Sequence, residues 1–552
     1  MAAADVPAES TLFVRKATGL VKGWSVVDAF IYSAFAINLM ALGFGYAFTT
    51  IAFIPKGAII AGVILSALFI IFETLVYASL IAVMPRAGGD YVWQSRVLHG
   101  SIGFIFAATG WWFILWHWVP IYANILVLEV IQPIMVITGN TGTGIGQSDW
   151  WTYLPPGNTH GTGIFVASLI TAGFATVVVA VGMRAYAQFQ KICFYGGMLG
   201  LVIILLVFAF HTKSDFISAY DRSAQDLYGL GPNAFQQLQQ ASDKAGTSSY
   251  PGFSSFPVKE TFLLIPFLVF YNLWPNWGAT LYGEVKGASD FRRNIYAMAG
   301  ALIFTTVVVV ITFAAMAHAM GFETYGIMSS AFWGYFVSPL AAFPYPGTLA
   351  AYFFSNALVQ LIIILLLSLW FFGWAGSVFL SSTRMIFAAA FDRILPERVA
   401  QVHGPSGVPI VALALMVLPS IPISYFYAYN TTFYKSTLDA TLVIAATFAV
   451  TTLSAILLPW RRPDIYNQSP IAKYRPLGIP LITLSGVVFL GFLLFCLYKW
   501  LFDGAYFVNN STSLKYMAGL YVLAAAVYVA SRVMRKREGI DLDRINSEIP
   551  VE

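Results

Sequence analysis

Charge is scarce in this chain. Only 10% of its 552 residues are Asp, Glu, Lys or Arg, whereas 59% are hydrophobic and 16% aromatic. A soluble domain of this length cannot hide that much apolar surface, which excludes an ordinary globular fold. Cysteine is nearly absent. Cys193 and Cys496 both fall inside long apolar runs, which argues against a disulfide framework and against a thiolate metal cluster. The histidines other than His117, namely His99, His160, His211, His318 and His403, are scattered near loops without the spacing of a metal site. No phosphate-cradling loop of the Walker type is present, so ATP is not the energy source. No nucleophile, base and orienter form a catalytic constellation, so neither an enzyme nor a cofactor is expected. Basic residues are not gathered into a face for nucleic acid. Residues 1–18 are polar and mixed, and no cleavable signal peptide is expected.

What the chain does have is long apolar runs. At about 1.5 Å rise per residue, roughly twenty residues cross a bilayer. Twelve such runs are expected, at about 24–48, 57–84, 101–130, 162–182, 187–211, 260–282, 295–320, 349–383, 408–427, 437–459, 478–501 and 514–533. They are numbered here as spans 1 to 12, and the fold class they imply is an all-α polytopic membrane protein. With both termini on the cytoplasmic side, most of the 30 Lys and Arg residues fall inside, including Arg86, Arg96, Arg184, Lys191, Arg292, Arg293, Arg461, Arg462 and Arg535. That bias sets the orientation and suits an even number of spans in the plasma membrane. Two outer loops, about 138–161 and 212–259, are polar, the second with a short amphipathic helix expected around Asn233–Ala241. A third outer segment, about 320–348, is expected to be partly helical.

Two spans are interrupted. Span 6 reads Phe267-Leu-Val-Phe-Tyr-Asn-Leu-Trp-Pro-Asn-Trp-Gly278. Pro275 has no N–H, so the carbonyl of Tyr271 loses its normal partner. Broken backbone survives in hydrocarbon only where it lines a cavity. Span 1 carries Asn38, Gly43 and Gly45 near its middle. Interrupted segments at corresponding places point to a transporter built from two inverted repeats.

Four further stretches make the pattern specific. Met84-Pro-Arg-Ala-Gly-Gly-Asp-Tyr91 follows span 2, and Gly182-Met-Arg-Ala-Tyr-Ala-Gln-Phe-Gln-Lys191 joins spans 4 and 5. Gly283-Glu-Val-Lys286 with Arg292-Arg-Asn294 closes span 6. Ser382-Thr-Arg-Met-Ile-Phe-Ala-Ala-Ala-Phe-Asp-Arg-Ile-Leu-Pro396 follows span 8, and Gly407-Val-Pro409 opens span 9. In this order the chain resembles the amino acid–polyamine–organocation (APC) superfamily of permeases over roughly residues 20–500. The resemblance implies a LeuT-like fold and alternating access driven by a proton or sodium gradient or by exchange. It divides the chain into a cytoplasmic segment 1–23, a first repeat 24–211 (spans 1–5), the loop 212–259, a second repeat 260–460 (spans 6–10), spans 11–12 in 461–533, and a cytoplasmic tail 534–552. A monomer or homodimer is expected in the lipid bilayer, with a small-molecule substrate.

The site is expected between the two breaks. N–H groups around Ala41, Leu42 and Gly43 suit a substrate carboxylate, and the helix end at Asn38 lies opposite. Free carbonyls at Phe270 and Tyr271 suit an ammonium. Trp274, Asn276 and Trp277 complete the surroundings, with Phe270 and Trp277 as gating aromatics. Three positions depart from the family pattern. Leu39-Met-Ala41 replaces a small-residue break, Asn276 replaces a frequent acid, and Gly197 replaces a lysine found in some members. Coupling then falls to Glu73 in the middle of span 2, the one acid expected to be available to a cavity. His117, in an aromatic run of span 3, is a second titratable candidate better suited to packing. The rival ion is sodium, with hydroxyls from Ser377 and Ser381 on one face of span 8. Asp28 and Asp439 read as caps near span ends. Glu284, Lys286, Asp290, Arg292 and Arg293 could pair with Arg86, Asp90 or Asp392 as an inner gate, or remain solvated. An aromatic, uncharged site favours a neutral or aromatic amino acid over a polycation. A nucleobase or other small-solute permease on the same scaffold, or a non-transporting sensor, are the alternatives.

Overall fold

The computed structural model describes residues 20, 22–139, 161–248, 250, 256–337, 343–404, 406–437 and 439–548. The described residues are helical throughout, with two isolated bridges in place of any sheet. Eleven helical segments among them are long and apolar enough to cross a membrane. They correspond to the expected spans 1–5 and 7–12. Span 6 is the exception because it is not one continuous helix. It consists of an α-helix Val258–Asn272, a non-helical corner at Leu273 and Trp274, and a tighter 3₁₀ stretch Pro275–Glu284.

Several limits differ from expectation for identifiable reasons. Span 3 runs from Gly100 to Ile137, seven residues past the expected end at 130, with π-wound turns at Thr109–Phe113 and Val127–Ile131. Span 8 begins at Ala357 rather than 349. Asn356 accepts from the N–H groups of Leu358 and Val359 and fixes the new start. It bends at Gly376 and continues as Ser377–Phe391. The loop after span 5 holds two helices, Lys213–Tyr228 and Ala234–Ala245, the second overlapping the amphipathic stretch expected there. The segment after span 7 forms Phe322–Phe332 and Pro346–Ala351. Most of the loop expected at 138–161 lies outside the described residues.

Span 1 breaks where the polar residue sits. The helix Val26–Ile37 ends at Asn38, whose φ of 44° is left-handed, and a π-wound turn Leu39–Phe44 follows. Asn tolerates this backbone better than other residues with a side chain. The first half of span 1 packs on the second half of span 6, and the first half of span 6 packs on the π-wound half of span 1. The two broken segments therefore lie side by side and antiparallel. Ser33 Oγ donates to the carbonyl of Pro275 at 2.9 Å, tying one break to the other.

Candidate functional site

A cavity of about 770 Å³ opens beside the two breaks. Leu42, Gly45 and Tyr46 come from span 1, Trp118, Asn124 and Leu128 from span 3, and Phe267, Phe270 and Trp274 from span 6. Tyr427, Tyr434 and Thr441 bring in the region of spans 9 and 10. Its mouth is framed by Trp333, Tyr335 and Phe507, of which Tyr335 and Phe507 are exposed. The wall is mostly aromatic, a surface that takes apolar groups and, through ring faces, cations.

The floor is a cluster of four indoles. Trp274 and Trp118 lie 5.2 Å apart, and Trp277 packs on Trp111 at 4.6 Å and on Trp118 at 5.7 Å. Trp277 is anchored by donation to the Ser377 carbonyl at 3.3 Å. Beneath the indoles Asp90 accepts hydrogen bonds from Tyr77 at 2.7 Å and Thr451 at 2.6 Å. Beyond lies the segment expected to gate. Glu284 and Arg384 form a bidentate pair, 2.7 Å from Nε to Oε1 and 3.1 Å from Nη2 to Oε2. Arg96 meets Asp392 at 2.5 Å, and Tyr91 donates to the same carboxylate at 2.7 Å. The side chains of both ion pairs are no more than 2% exposed. The cavity thus reaches the surface at the Tyr335 end and is sealed at the Arg384 end.

The seal corrects the pairing expected from sequence. Glu284 and Asp392 do take part, but their partners are Arg384 and Arg96, while Arg293 pairs locally with Asp290 at 3.4 Å. Asp90 is bound by hydroxyls. Glu284, Asp392 and Asp90 are buried because the backbone closes over them, whereas Lys286, Asp290, Arg292 and Arg293 are exposed and remain solvated. Gly23 and Trp24 donate to the Glu284 carbonyl, Lys286 donates back to Trp24, and Gly88 donates to Thr280. At Gly89, with φ of +44°, a Cβ would stand 3.0 Å from the backbone of Ala279 and Thr280, so only glycine permits this approach.

Of the expected binding residues, Leu42, Phe270 and Trp274 line the cavity, and Trp277 forms the layer under it. Asn38, Ala41 and Gly43 are buried just behind. Their hydrogen bonds differ from expectation. Asn38 Oδ1 accepts from Ala41 N at 3.0 Å, and the Asn38 carbonyl accepts from Leu42 and Gly43 at 3.1 and 3.0 Å. The three N–H groups expected to be free for a carboxylate are therefore engaged, because the left-handed Asn38 turns its own acceptors onto them. The Phe270 carbonyl likewise accepts from Trp274 Nε1 at 2.7 Å. Tyr271 points away from the cavity and packs on Phe48 at 5.0 Å. Asn276 is fully buried, with Tyr77 as the polar group facing its side chain beyond ordinary hydrogen-bond distance.

The ion-coupling candidates separate into two places. Glu73 is fully buried near Asp90, and both of its oxygens lack a hydrogen-bond partner among the described residues. Ser377 and Ser381 meet span 1 as expected, but Tyr32 fills the space between them. Its hydroxyl lies 2.8 Å from Ser381 Oγ and 3.1 Å from the Ser377 carbonyl, and Ser381 Oγ also donates to the Trp277 carbonyl at 3.1 Å. His117 is held by Tyr516 at 2.6 Å and by the carbonyls of Phe113 and Ile114, an arrangement that belongs to packing. Asp28 caps its helix with Ser25 and meets Lys191 at 2.8 Å. Asp439 stands at a helix start, yet its side chain makes no cap bond. Sequence reasoning missed one acid altogether. Glu129 of span 3 is 1% exposed and lies against Gly45 of the cavity wall.

The amino acid permease family profile matches residues 28–526, nearly the whole chain. The chain belongs to the amino acid permease family. It is a multi-pass membrane protein and a permease of amino acids, in a family of transporters rather than enzymes. A search of curated proteins found no match.

Proposed function

We propose that this permease is a secondary active transporter of neutral or aromatic amino acids, working by alternating access across the plasma membrane. The observation that carries the reading is the one-sided cavity. It adjoins both helix breaks, has aromatic walls, and ends in a sealed layer of buried ion pairs. The substrate backbone would sit at the breaks, where Asn38 exchanges its hydrogen bonds at Ala41, Leu42 and Gly43 for those of a carboxylate. Phe270, Trp274 and Leu42 would contact the side chain, with Asn276 offering neutral polar atoms. Gating would combine movement of Phe270 over the site with separation of Trp277 from Trp111 and Trp118. Return through the opposite side requires the Glu284–Arg384 and Arg96–Asp392 pairs to part. A gradient drives the cycle, through Glu73 if the ion is a proton, or through Ser377 and Ser381 if it is sodium and Tyr32 withdraws.

Uptake of a labelled amino-acid mixture by the purified protein in liposomes tests this. The runs use a proton gradient, a sodium gradient and neither, with wild type and Glu73→Gln. Accumulation of neutral or aromatic members under one gradient is expected. Accumulation of only basic or acidic members would refute the substrate class, and uptake of none with retained uptake of a nucleobase would refute the reading itself.

A further inference from the structure

Glu129 is the acid that the cavity's polar economy leaves unexplained. It sits at the π-wound turn of span 3, one residue from the cavity-lining Leu128. Its residue is 1% exposed, and neither carboxylate oxygen has a hydrogen-bond partner among the described residues. A carboxylate in that position without a donor is expensive wherever a membrane excludes water. Its surroundings make the problem sharper. A Cβ placed on Gly45 would strike both Glu129 Oε1 and the carbonyl oxygen of Ala41. The carboxylate and that carbonyl therefore converge on one small space, acceptor facing acceptor. Tyr345 is the titratable group beside Glu129, its hydroxyl facing the carboxylate as the nearest side-chain donor although it stands beyond ordinary hydrogen-bond distance. Convergent oxygens of this kind repel unless a proton or a cation stands between them. Ala41 is the residue whose N–H is capped by Asn38 at the span 1 break.

We infer that Glu129, the Ala41 carbonyl and the Tyr345 hydroxyl form a cation site at the span 1 break, separate from Glu73. The cation is a proton carried on Glu129 and donated to Ala41, or a sodium ion held by the three oxygens, which are the hard ligands it prefers. Either one ties ion binding to the turn that Asn38, Ala41 and Gly45 build next to the substrate. Gly45 is required because any side chain there would enter the site. The inference rests on the transporter reading for its role in coupling, but the site itself can be tested without substrate.

The test is a titration of intrinsic tryptophan fluorescence on detergent-purified full-length protein, since Trp118 and Trp274 face the cavity near the site. Wild type, Glu129→Gln and Glu129→Asp are titrated with pH in sodium-free buffer, then with sodium chloride against choline chloride at fixed pH. A size-exclusion profile matching wild type establishes that each variant is folded. A pH transition in wild type that is lost in E129Q identifies the proton. A sodium-dependent transition that is lost in E129Q and weakened at least tenfold in E129D identifies sodium. E129D keeps the charge but draws it back by one methylene, so it carries the test if E129Q does not fold. No transition in wild type with either cation, or one unchanged in the folded variants, overturns the inference. A cation transition that persists while no amino acid is transported would leave the site standing and remove the transport reading.

Discussion

Replacing Glu284 by Gln tests whether the sealed end is held by charge. The carboxylate accepts two hydrogen bonds from Arg384, and the side chains of the pair are 2% and 0% exposed. An amide presents only one acceptor oxygen to that guanidinium, and it leaves a positive charge in a layer from which water is excluded. Stranding one partner of a buried pair costs about 3–5 kcal/mol, far above the ~0–1 kcal/mol of an exposed pair. At about 1.4 kcal/mol per factor of ten, this is on the order of a hundred- to a few-thousand-fold in any equilibrium that depends on the pair. If the pair parts when the Arg384 end opens, E284Q moves the protein toward that open form. Two readouts are needed. A double-mutant cycle of E284Q, R384M and the double variant, read from unfolding in mixed detergent, is expected to give a coupling energy of at least about 2 kcal/mol, with the double variant less damaged than the sum of the singles. A cysteine introduced at Ala279, buried behind Gly89, is expected to react faster with a maleimide from the Arg384 side in E284Q than in wild type. A coupling energy under about 0.5 kcal/mol, with unchanged labelling, would show that the pair does not hold this end shut.

The same layer gives a pH dependence. Burial raises the Asp90 carboxyl to about 6 despite its bonds to Thr451 and Tyr77, so the folded protein binds this proton more tightly than the unfolded chain. Stability should therefore be greatest below the ordinary carboxylate range and fall as pH rises from about 4 through about 6, by up to about 3 kcal/mol, a fall that D90N removes; thermal unfolding at stepped pH reads it, and an equal fall in D90N would refute it. Gly89→Ala forces a Cβ onto the Ala279–Thr280 backbone at a left-handed position, so a loss of about 2–4 kcal/mol is expected from the unfolding midpoint, and a shift under about 0.5 kcal/mol would show that the turn can yield. Ser381→Ala removes the hydroxyl shared by Tyr32 and the Trp277 carbonyl, costing about 1–2 kcal/mol; if sodium uses this place, the sodium dependence of liposome uptake disappears in S381A, and unaltered dependence excludes it. Trp274→Ala opens the cavity floor beside Trp118 and Trp277 and is expected to weaken binding of an aromatic amino acid by at least tenfold, with a smaller loss for alanine; equal losses for both would mean Trp274 contacts no substrate side chain.

The architecture was legible because hydrophobic length is a local property. A run of some twenty apolar residues reports a crossing whatever surrounds it, and the breaks of spans 1 and 6 announce themselves through Asn38 and Pro275. What the breaks do with their backbone groups was not legible. The free N–H groups expected at Ala41, Leu42 and Gly43 depend on how Asn38 turns, and a left-handed Asn38 satisfies all three by itself. The gate shows the same limit. Arg384 stands in a motif that marks the family, yet nothing in its spacing from Glu284, a hundred residues away, says that they meet rather than Glu284 and Arg86.

Glu129 was hidden by a boundary. With span 3 ending at 130, an acid at 129 belongs to the membrane surface, where it needs no account. Because the helix continues to Ile137, the same acid lies inside, against the span 1 break. That one correction changes the electrostatics expected of the site. A cavity served by Glu73 alone would keep its titratable charge under the indole floor, on the sealed side of Trp277. With Glu129 there is a buried acid on each side of that floor, one beside the open cavity and one beside Asp90. A neutral substrate gives neither acid a permanent counter-charge, so each is either held neutral by its own proton or compensated by a bound cation. If access alternates as proposed, each open end of the cycle has a buried carboxyl beside it, and a cation that binds at one end and leaves at the other would act through these two groups.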